Sequence, residues 1–413
     1  MKNKLMIMSM FLITCSSSFA QKEELKEIEK QLKKNNKTEI QNLLTTLESK
    51  LNIASDDQKA AYYFYKSQHE INLSNEGIDV DENRTKAIET LNQLLKFENE
   101  TKSKRYTTDA LPLKNQLLAK IVDEAIATNK NSNFKKSSRL FEQAYNLNTT
   151  DTLYLFYAAS DAANAKDYDF AESKFKELVK LNFDGKSNTY VATSQINGKV
   201  ESFGTDKKAR DLAVKTGTHV QPDLIENKSV KPIIYNNLTQ ILLNKQNYSE
   251  AEQFALKALD LDKDNVNTLL NVLTLFYNTN RLDKFEEYAE KGLERFPKNE
   301  ALLYNLAVIN LGNNNAPVSI SYFERILKEN PNHFEALKAL GNIELQKDAD
   351  VTNKINALPN TNASNKKRSD LMIEKKAVYQ NALNFYLKAQ KVNMNDEGLN
   401  DLIRQISSFL NEN

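Results

Sequence analysis

Residues 235–261 read YNNLTQILLNKQNYSEAEQFALKALDL. Tyr235, Leu238 and Leu242 recur at three- and four-residue intervals, and so do Ala251, Phe254, Ala258 and Leu261. That spacing gathers each set on one face of a helix. The polar break Lys245-Gln246-Asn247 between them predicts two antiparallel amphipathic helices of about fourteen residues each. The design returns thirty-four residues downstream in Leu269, Val272 and Phe276, then Leu282, Phe285, Ala289, Gly292 and Pro297. A further thirty-four brings Leu303, Leu306 and Ala307, then Phe323, Ile326 and Pro331. Upstream, Phe134, Phe141 and Ala144 precede Tyr168, Phe175 and Leu178 by the same interval. One such pair buries too few large side chains to offset the entropy of ordering its backbone, so the pairs must stack.

Composition agrees. Nine glycines and seven prolines in 413 residues supply too few turns for a β-rich chain. Lysine and arginine total 56 against 55 acids, a formal net charge of +1. So balanced a surface offers no electrostatic footprint for nucleic acid. Lys2 and Lys4, the apolar run Leu5 to Thr14 and the small-x-small Ser18-Phe19-Ala20 read as a secretory leader over 1–20. Its apolar run is too short for a stable bilayer anchor, and no later stretch is apolar enough to span a membrane. Cys15 offers a rival, lipidated reading, but Thr14 stands where a small residue would be required. Cys15 is the single cysteine, so the processed chain must be stabilised by packing without disulfides.

The repeat resembles the tetratricopeptide repeat. Tyr235, Leu238, Tyr248, Ala251 and Ala258 fill that family's characteristic positions, as do Leu337, Leu340 and Gly341, and Tyr379, Ala382, Tyr386 and Ala389. Small residues at such positions let paired helices approach closely, and large ones fill the grooves beside them. Phe285 where alanine is usual, Thr239 for glycine and Lys263 for proline are departures. The resemblance implies an all-α, right-handed α-solenoid of antiparallel helix pairs.

Two segments interrupt the period. Between Asp184 and Ser229, the runs YVATSQINGKVESFG and TDKKARDLAVKTG predict a β-hairpin with a type I′ turn at Asn197-Gly198. A short helix follows, capped by Thr205 or Asp206 and ended by Gly217. This insert resembles one carried by a group of Gram-negative envelope proteins built from tetratricopeptide repeats, and the likeness covers most of the processed chain. Between Gly341 and Tyr379 the spacing is too long by twenty-nine residues, close to four whole turns in each of two helices. A lengthened helical finger of about 20 Å is expected. Its tip falls at Leu358-Pro359-Asn360, with Val351 and Ile355 facing Met372 and Val378, and Lys366, Lys367 and Arg368 in a solvated loop. In the N-terminal part, Glu23 to Asn52 reads as two short amphipathic helices, with long connections at Asn75 to Asn83 and Glu98 to Thr108. Leu399 to Leu410 reads as a capping helix. The expected organisation is a leader over 1–20, N-terminal helices and a divergent repeat over 21–109, and repeats over 110–183. An insert over 184–229, repeats over 230–346, an extended hairpin over 347–378, and a last repeat helix with its cap over 379–413 complete it.

Chemistry-bearing motifs are missing from the sequence: it has no glycine-rich phosphate loop, paired-cysteine motif or His-Glu-x-x-His helix. His69, His219 and His333 are scattered, and His219 with Asp211 and Asp223 makes only an irregular loop set. No catalytic, cofactor-binding or metal residues are therefore assigned and no cofactor is expected; a reaction, were there one, would belong to the 184–229 insert. The resemblance places a peptide groove on the first helix of each pair. Its candidates here are Phe156, Ser160, Asn236, Gln240, Asn267, Leu270, Tyr277, Tyr304, Lys338 and Asn342. Amides to satisfy backbone and aromatics to take side chains suit an extended peptide or a helix. The cations of a carboxylate clamp are missing, because Asn236, Gln240, Asn271, Ala301 and Asn305 hold those positions. The expected function is a periplasmic or outer-membrane-associated scaffold binding a protein or peptide partner in envelope assembly, secretion or uptake. The alternative is a structural subunit of a stable envelope complex with no transient client; a peripheral outer-membrane complex is among the expected partners.

Overall fold

The computed structural model describes residues 21–411. The leader and Cys15 lie outside the described residues. The chain divides into two compact units, Met1–Val230 and Lys231–Asn413.

In the first unit, α1 (21–34) and α2 (Lys37–Glu48) lead through a 3₁₀ turn (Leu51–Ile53) to α3 (Asp56–Asn75), α4 (Val80–Glu100) and α5 (Thr107–Lys130). Next come α6 (Phe134–Leu147), α7 (Leu153–Asn164) and α8 (Tyr168–Lys180). The connections expected over Asn75 to Asn83 and Glu98 to Thr108 are shorter than the sequence suggests, because α4 begins at Val80 and runs to Glu100. Ser55 and Gln58 form a reciprocal capping box that starts α3, satisfying two otherwise orphaned backbone donors. Glu98, fully buried, starts α5 from the preceding helix. It accepts from the backbone N–H groups of Tyr106 (2.9 Å) and Thr107 (2.8 Å) and from the Thr107 hydroxyl (2.6 Å). The core of these helices is continuous from Phe64 through Leu91, Ile121 and Phe141 to Ala158. A smaller cluster joins Ile28, Ile40, Leu44 and Tyr62 across α1, α2 and α3.

The insert closes this unit with β1 (Asn188–Ser194), β2 (Val200–Ser202), α9 (Lys207–Lys215) and β3 (His219–Glu226). The antiparallel sheet has the order β2-β1-β3, with Val191 opposite Ser202 on one side and Asp223 on the other. Two features differ from the sequence reading. The turn is no type I′ pair, since Asn197 is absent from the positive-φ residues and only Gly198 (φ 67°) is left-handed. Ser194 donates to the Lys199 carbonyl across a four-residue loop instead. The other is a third strand, β3, which no pattern in the sequence marks. Asp206 caps α9 through Ala209 N–H, and Arg210 of α9 bonds the Asp223 carbonyl at 3.0 Å while lying over the Tyr190 ring. At the base, Val230 N–H donates to the Asp184 carbonyl.

The second unit runs through α10 (Lys231–Asn244), α11 (Tyr248–Leu261), α12 (Val266–Asn278), α13 (Leu282–Arg295), α14 (Glu300–Gly312) and α15 (Ala316–Glu329). It ends with α16 (Phe334–Asn356), α17 (Asn362–Val392) and α18 (Glu397–Asn411). Each unit is thus an α-solenoid arrangement of antiparallel helix pairs. The period is also written in the backbone. Gln246, Asn280 and Asn314, each thirty-four residues on from the last, all take left-handed φ of 53–59°. The residue after each donates five positions back, Asn247 to Leu242, Arg281 to Phe276 and Asn315 to Asn310. This is the Schellman closure of a helix C-terminus, which satisfies carbonyls that the helix leaves unpaired. Ser132 and Lys166 repeat it in the first unit, also thirty-four apart.

The long hairpin of α16 and α17 turns at 357–361. Its own small core is Val351, Leu371 and Val378, flanked by Ile355 and Leu358. Leu371 takes the inward place expected for Met372, whose side chain stays exposed. Lys366, Lys367 and Arg368 lie within α17 rather than in a loop, and Arg368 reaches back to the Leu358 carbonyl. α18 covers α17 through Leu399, Ile403 and Ile406.

Candidate peptide-binding groove

Close approach within a pair depends on what stands where the two helices cross. The repeat places Thr239 and Ala251 at this position in the α10–α11 pair, and Ala307 and Ser319 in the α14–α15 pair; all four are buried. In the α12–α13 pair the equivalent positions hold Leu273 and Phe285. These helices pack less intimately than their neighbours, as bulk at a ridge-to-groove crossing requires. The result is a cavity of about 240 Å³ on the first-helix side, between α12 and α14. Leu273, Phe285 and Ile309 form its floor, and Leu270, Tyr277, Tyr304 and Val308 its walls.

Tyr277 is 63% exposed and Val308 45%. An apolar floor with aromatic walls open to solvent is the composition of a side-chain-accepting site. The polar fittings are few: Asn305 lines the cavity, while the Thr274 hydroxyl is spent on the Leu270 carbonyl at 2.8 Å. Tyr304 is held from behind by Phe323, edge-on at 5.8 Å, and by His333, stacked at 6.0 Å. Pre-positioned aromatic walls reduce the entropy lost on binding.

The ten candidate residues divide. Leu270, Tyr277 and Tyr304 share the cavity. Asn236 is turned to its neighbours: its amide donates to Thr268 Oγ1 at 2.6 Å and its oxygen accepts from Asn271. Gln240 is exposed on α10, and Asn267 on the first turn of α12. Lys338 and Asn342 serve structure. Lys338 bonds Asp396 at 2.7 Å, and Asp396 caps α18 through Leu399 N–H. That lysine, with the Leu399 amide, holds the Asp396 carboxyl below its ordinary range. Asn342 accepts the Tyr386 hydroxyl at 2.8 Å. Phe156 and Ser160 belong to the first unit. Phe156 stands between the Tyr157 and Phe183 rings, and the Ser160 hydroxyl is buried with no partner among the described residues.

His219 also finds a structural place, bonded to Glu201 at 3.0 Å and to the Thr218 hydroxyl. Asp211 and Asp223 are tied instead to Arg210, Asp211 through its carboxylate and Asp223 through its carbonyl. Among the described residues no group of histidine, cysteine and carboxylate side chains is placed to hold a metal, and no helix is long and apolar enough to cross a membrane.

Residues 233–265, the α10–α11 pair, match the tetratricopeptide repeat, so the chain contains that repeat within its stack of helix pairs. Sperm-associated antigen 1 of Mus musculus is 28% identical over 175 residues, 37% of this chain and 19% of that protein. Its Homo sapiens counterpart is 27% identical over 154 residues, 32% and 17% respectively. The chain spans less than a fifth of the length of these curated relatives. Among solved structures, YrrB, a TPR protein with an unusual peptide-binding site, is similar at 14% identity over 53% of this chain and 89% of that one, with a TM-score of 0.36. A TPR repeats protein from Bacteroides fragilis is similar at 16% identity over 63% and 99%, with a TM-score of 0.34.

Proposed function

We propose that this protein is an exported scaffold that holds a polypeptide segment along the first helices of its second unit. The α12–α14 cavity is the anchor point. One observation carries the reading: Leu273 and Phe285 stand where neighbouring pairs have small residues, and beside them lies a cavity with a buried apolar floor and the exposed Tyr277 and Val308 at its walls. A partner would seat an apolar or aromatic side chain there and lay its backbone against the amides of the flanking helices. The leader-like pattern of Lys2, Lys4 and Ser18-Phe19-Ala20 supports a place for this work in the periplasm or at the outer-membrane surface, in envelope assembly, secretion or uptake.

The test is a photo-cross-linking amino acid at position 277, activated in the native envelope and read by mass spectrometry. The reading expects a defined polypeptide adduct at 277 and none from the same probe at Leu261, exposed on the second helix α11. Adducts from 261 alone, or none from 277, would refute it. One stoichiometric adduct identifies a stable complex subunit, and many substoichiometric ones a chaperone-like holder. Fractionation of the same cells assigns the compartment.

A further inference from the structure

A second cavity, of about 330 Å³, opens among α2, α3 and α4, and its character is the opposite of the groove. On α3, Tyr62, Lys66, His69, Glu70 and Leu73 fall on one helical stripe, and that stripe faces the cleft. Such a stripe in a helix pair ordinarily buries apolar side chains. Here the floor is polar: Glu70 is only 5% exposed, Tyr62 1%, and His69 and Thr90 are buried beside them. Glu70 Oε2 and the Tyr62 hydroxyl have no hydrogen-bond partner among the described residues. A buried carboxylate oxygen left in this state is costly to the fold.

The charges facing the cleft decide what would relieve it. From α2 comes Glu48, which Lys66 of α3 engages at 3.4 Å. From α4 come Lys86, paired with Glu82 outside the cleft, and Glu89. Each lysine has a carboxylate partner of its own, Glu48 for Lys66 and Glu82 for Lys86, and each acts on Glu70 only through space. His69 is held neutral, since burial and the nearby Lys37 push its pKa down. A neutral imidazole keeps one ring nitrogen as an acceptor. The unpartnered Glu70 Oε2 is thus the buried acceptor that a ligand entering the cleft would meet.

We propose that this cleft binds an N–H-rich organic cation, a guanidinium or primary ammonium group, seated on Glu70 between the Tyr62 hydroxyl and the His69 ring. A guanidinium presents five N–H donors in a fixed plane, and its charge-assisted bonds to a carboxylate are stronger than neutral ones. Burial, opposed only in part by Thr90, Lys66 and Lys86, raises the Glu70 carboxyl to about 7. The cation would return it to the ionised form, so binding strengthens as pH rises toward and past neutrality and is coupled to proton release.

The experiment is calorimetric titration of the full processed chain at low ionic strength with two probes, methylguanidinium and a blocked tripeptide with arginine at its centre. Saturable binding of either is expected, with net proton release near neutral pH, read by repeating the titration in buffers of different ionisation enthalpy. Tighter binding of the peptide identifies a polypeptide side chain as the source of the cation; tighter binding of methylguanidinium identifies a free small molecule. Glu70→Gln should weaken binding at pH 8 by at least about tenfold. Tyr62→Phe should weaken it less. If neither probe saturates, if Glu70→Gln binds as the parent does, or if binding releases no proton, the proposal fails. The proton count stands even where the variant does not fold.

Discussion

Replacing Gly341 by alanine adds one methyl group at a tight helix-to-ring contact of the second unit. An alanine Cβ there would lie 2.5 Å from Cε1 and 2.7 Å from Cδ1 of Tyr386. That ring cannot easily give way. It is fully buried, burial raises its phenol to about 12, and its hydroxyl is anchored on Asn342. In a helix interior the change would by itself stabilise by about 0.8–1 kcal/mol. Overpacking in a closed core costs about 1–3 kcal/mol, and a flat ring held at both ends places the cost in the upper half of that range. The net expectation is destabilisation by about 1–2 kcal/mol. For a unit of this size each kcal/mol moves the thermal midpoint by about 2–4 °C. The sequence contains no tryptophan, so helical circular dichroism during urea unfolding is the suitable assay. Gly312→Ala supplies the control. It also lies in a helix, nothing stands within 4 Å of its added Cβ, and it should be neutral or slightly stabilising. A Gly341→Ala protein as stable as its parent would refute the claim that helix approach in the last pair is limited at this residue.

Tyr277→Ala should change stability by no more than about 0.5 kcal/mol, because the ring is largely exposed, yet abolish capture of the partner in a pull-down. Glu98→Ala removes the acceptor of three hydrogen bonds at the start of α5 and should cost about 2–4 kcal/mol in urea unfolding. Leu371→Ala opens the small core of the long hairpin at a cost of about 2–5 kcal/mol. It should accelerate amide hydrogen exchange along Val351 to Val378 while leaving α10 to α14 unchanged. Glu70 carries a pH signature. Its folded carboxyl, raised from 4.5 to about 7, binds more protons than the unfolded chain between those values, so this residue makes stability fall as pH rises across that window and plateau above it. His69, with its pKa lowered, acts in the opposite sense, destabilising as pH falls through about 6.5. Subtracting the Glu70→Gln profile from the parent's isolates the glutamate, on the order of 3 kcal/mol at pH 8. An identical pair of profiles would show Glu70 to be ordinary.

The periodicity of Leu238, Val272 and Leu306 made the helix pairs legible because every repeat solves the same packing problem with the same spacing. The turn conformation was not. Gln246, Lys166 and Ser132 carry no preference for left-handed backbone, and they adopt it because the Schellman bonds behind them fix the chain. The strand β3 escaped notice for another reason. Its residues are exposed from Val220 onward, so no alternation of apolar and polar side chains marks it, and Pro222 argues against it. In the groove, helical spacing put Leu270, Tyr277 and Tyr304 on one face, but Leu273 and Phe285 occupy positions that read as core. Lys338 and Asn342 stand on the expected face, with partners 58 and 44 residues away; no local pattern announces such contacts.

The two candidate sites share a physical origin in local departures from the repeat. Where Gly341 meets Tyr386, a missing side chain lets two helices close and the interior is filled by a ring. Where Leu273 and Phe285 stand, two large side chains take the place of small ones, the helices pack less closely, and a cavity with an apolar floor opens between exposed walls. Between α3 and α4 the helices do pack, but Glu70, His69 and Thr90 stand on the stripe that would otherwise be apolar, leaving carboxylate and ring nitrogen facing a cleft. Each departure sacrifices burial or satisfied hydrogen bonding, about 1–3 kcal/mol for a buried polar group without a partner. The repeats on either side can absorb such a loss, because in a stack of pairs stability is summed from neighbour to neighbour. Their chemistry then sets the ligands apart, an apolar anchor for the first and a hydrogen-bonding cation for the second.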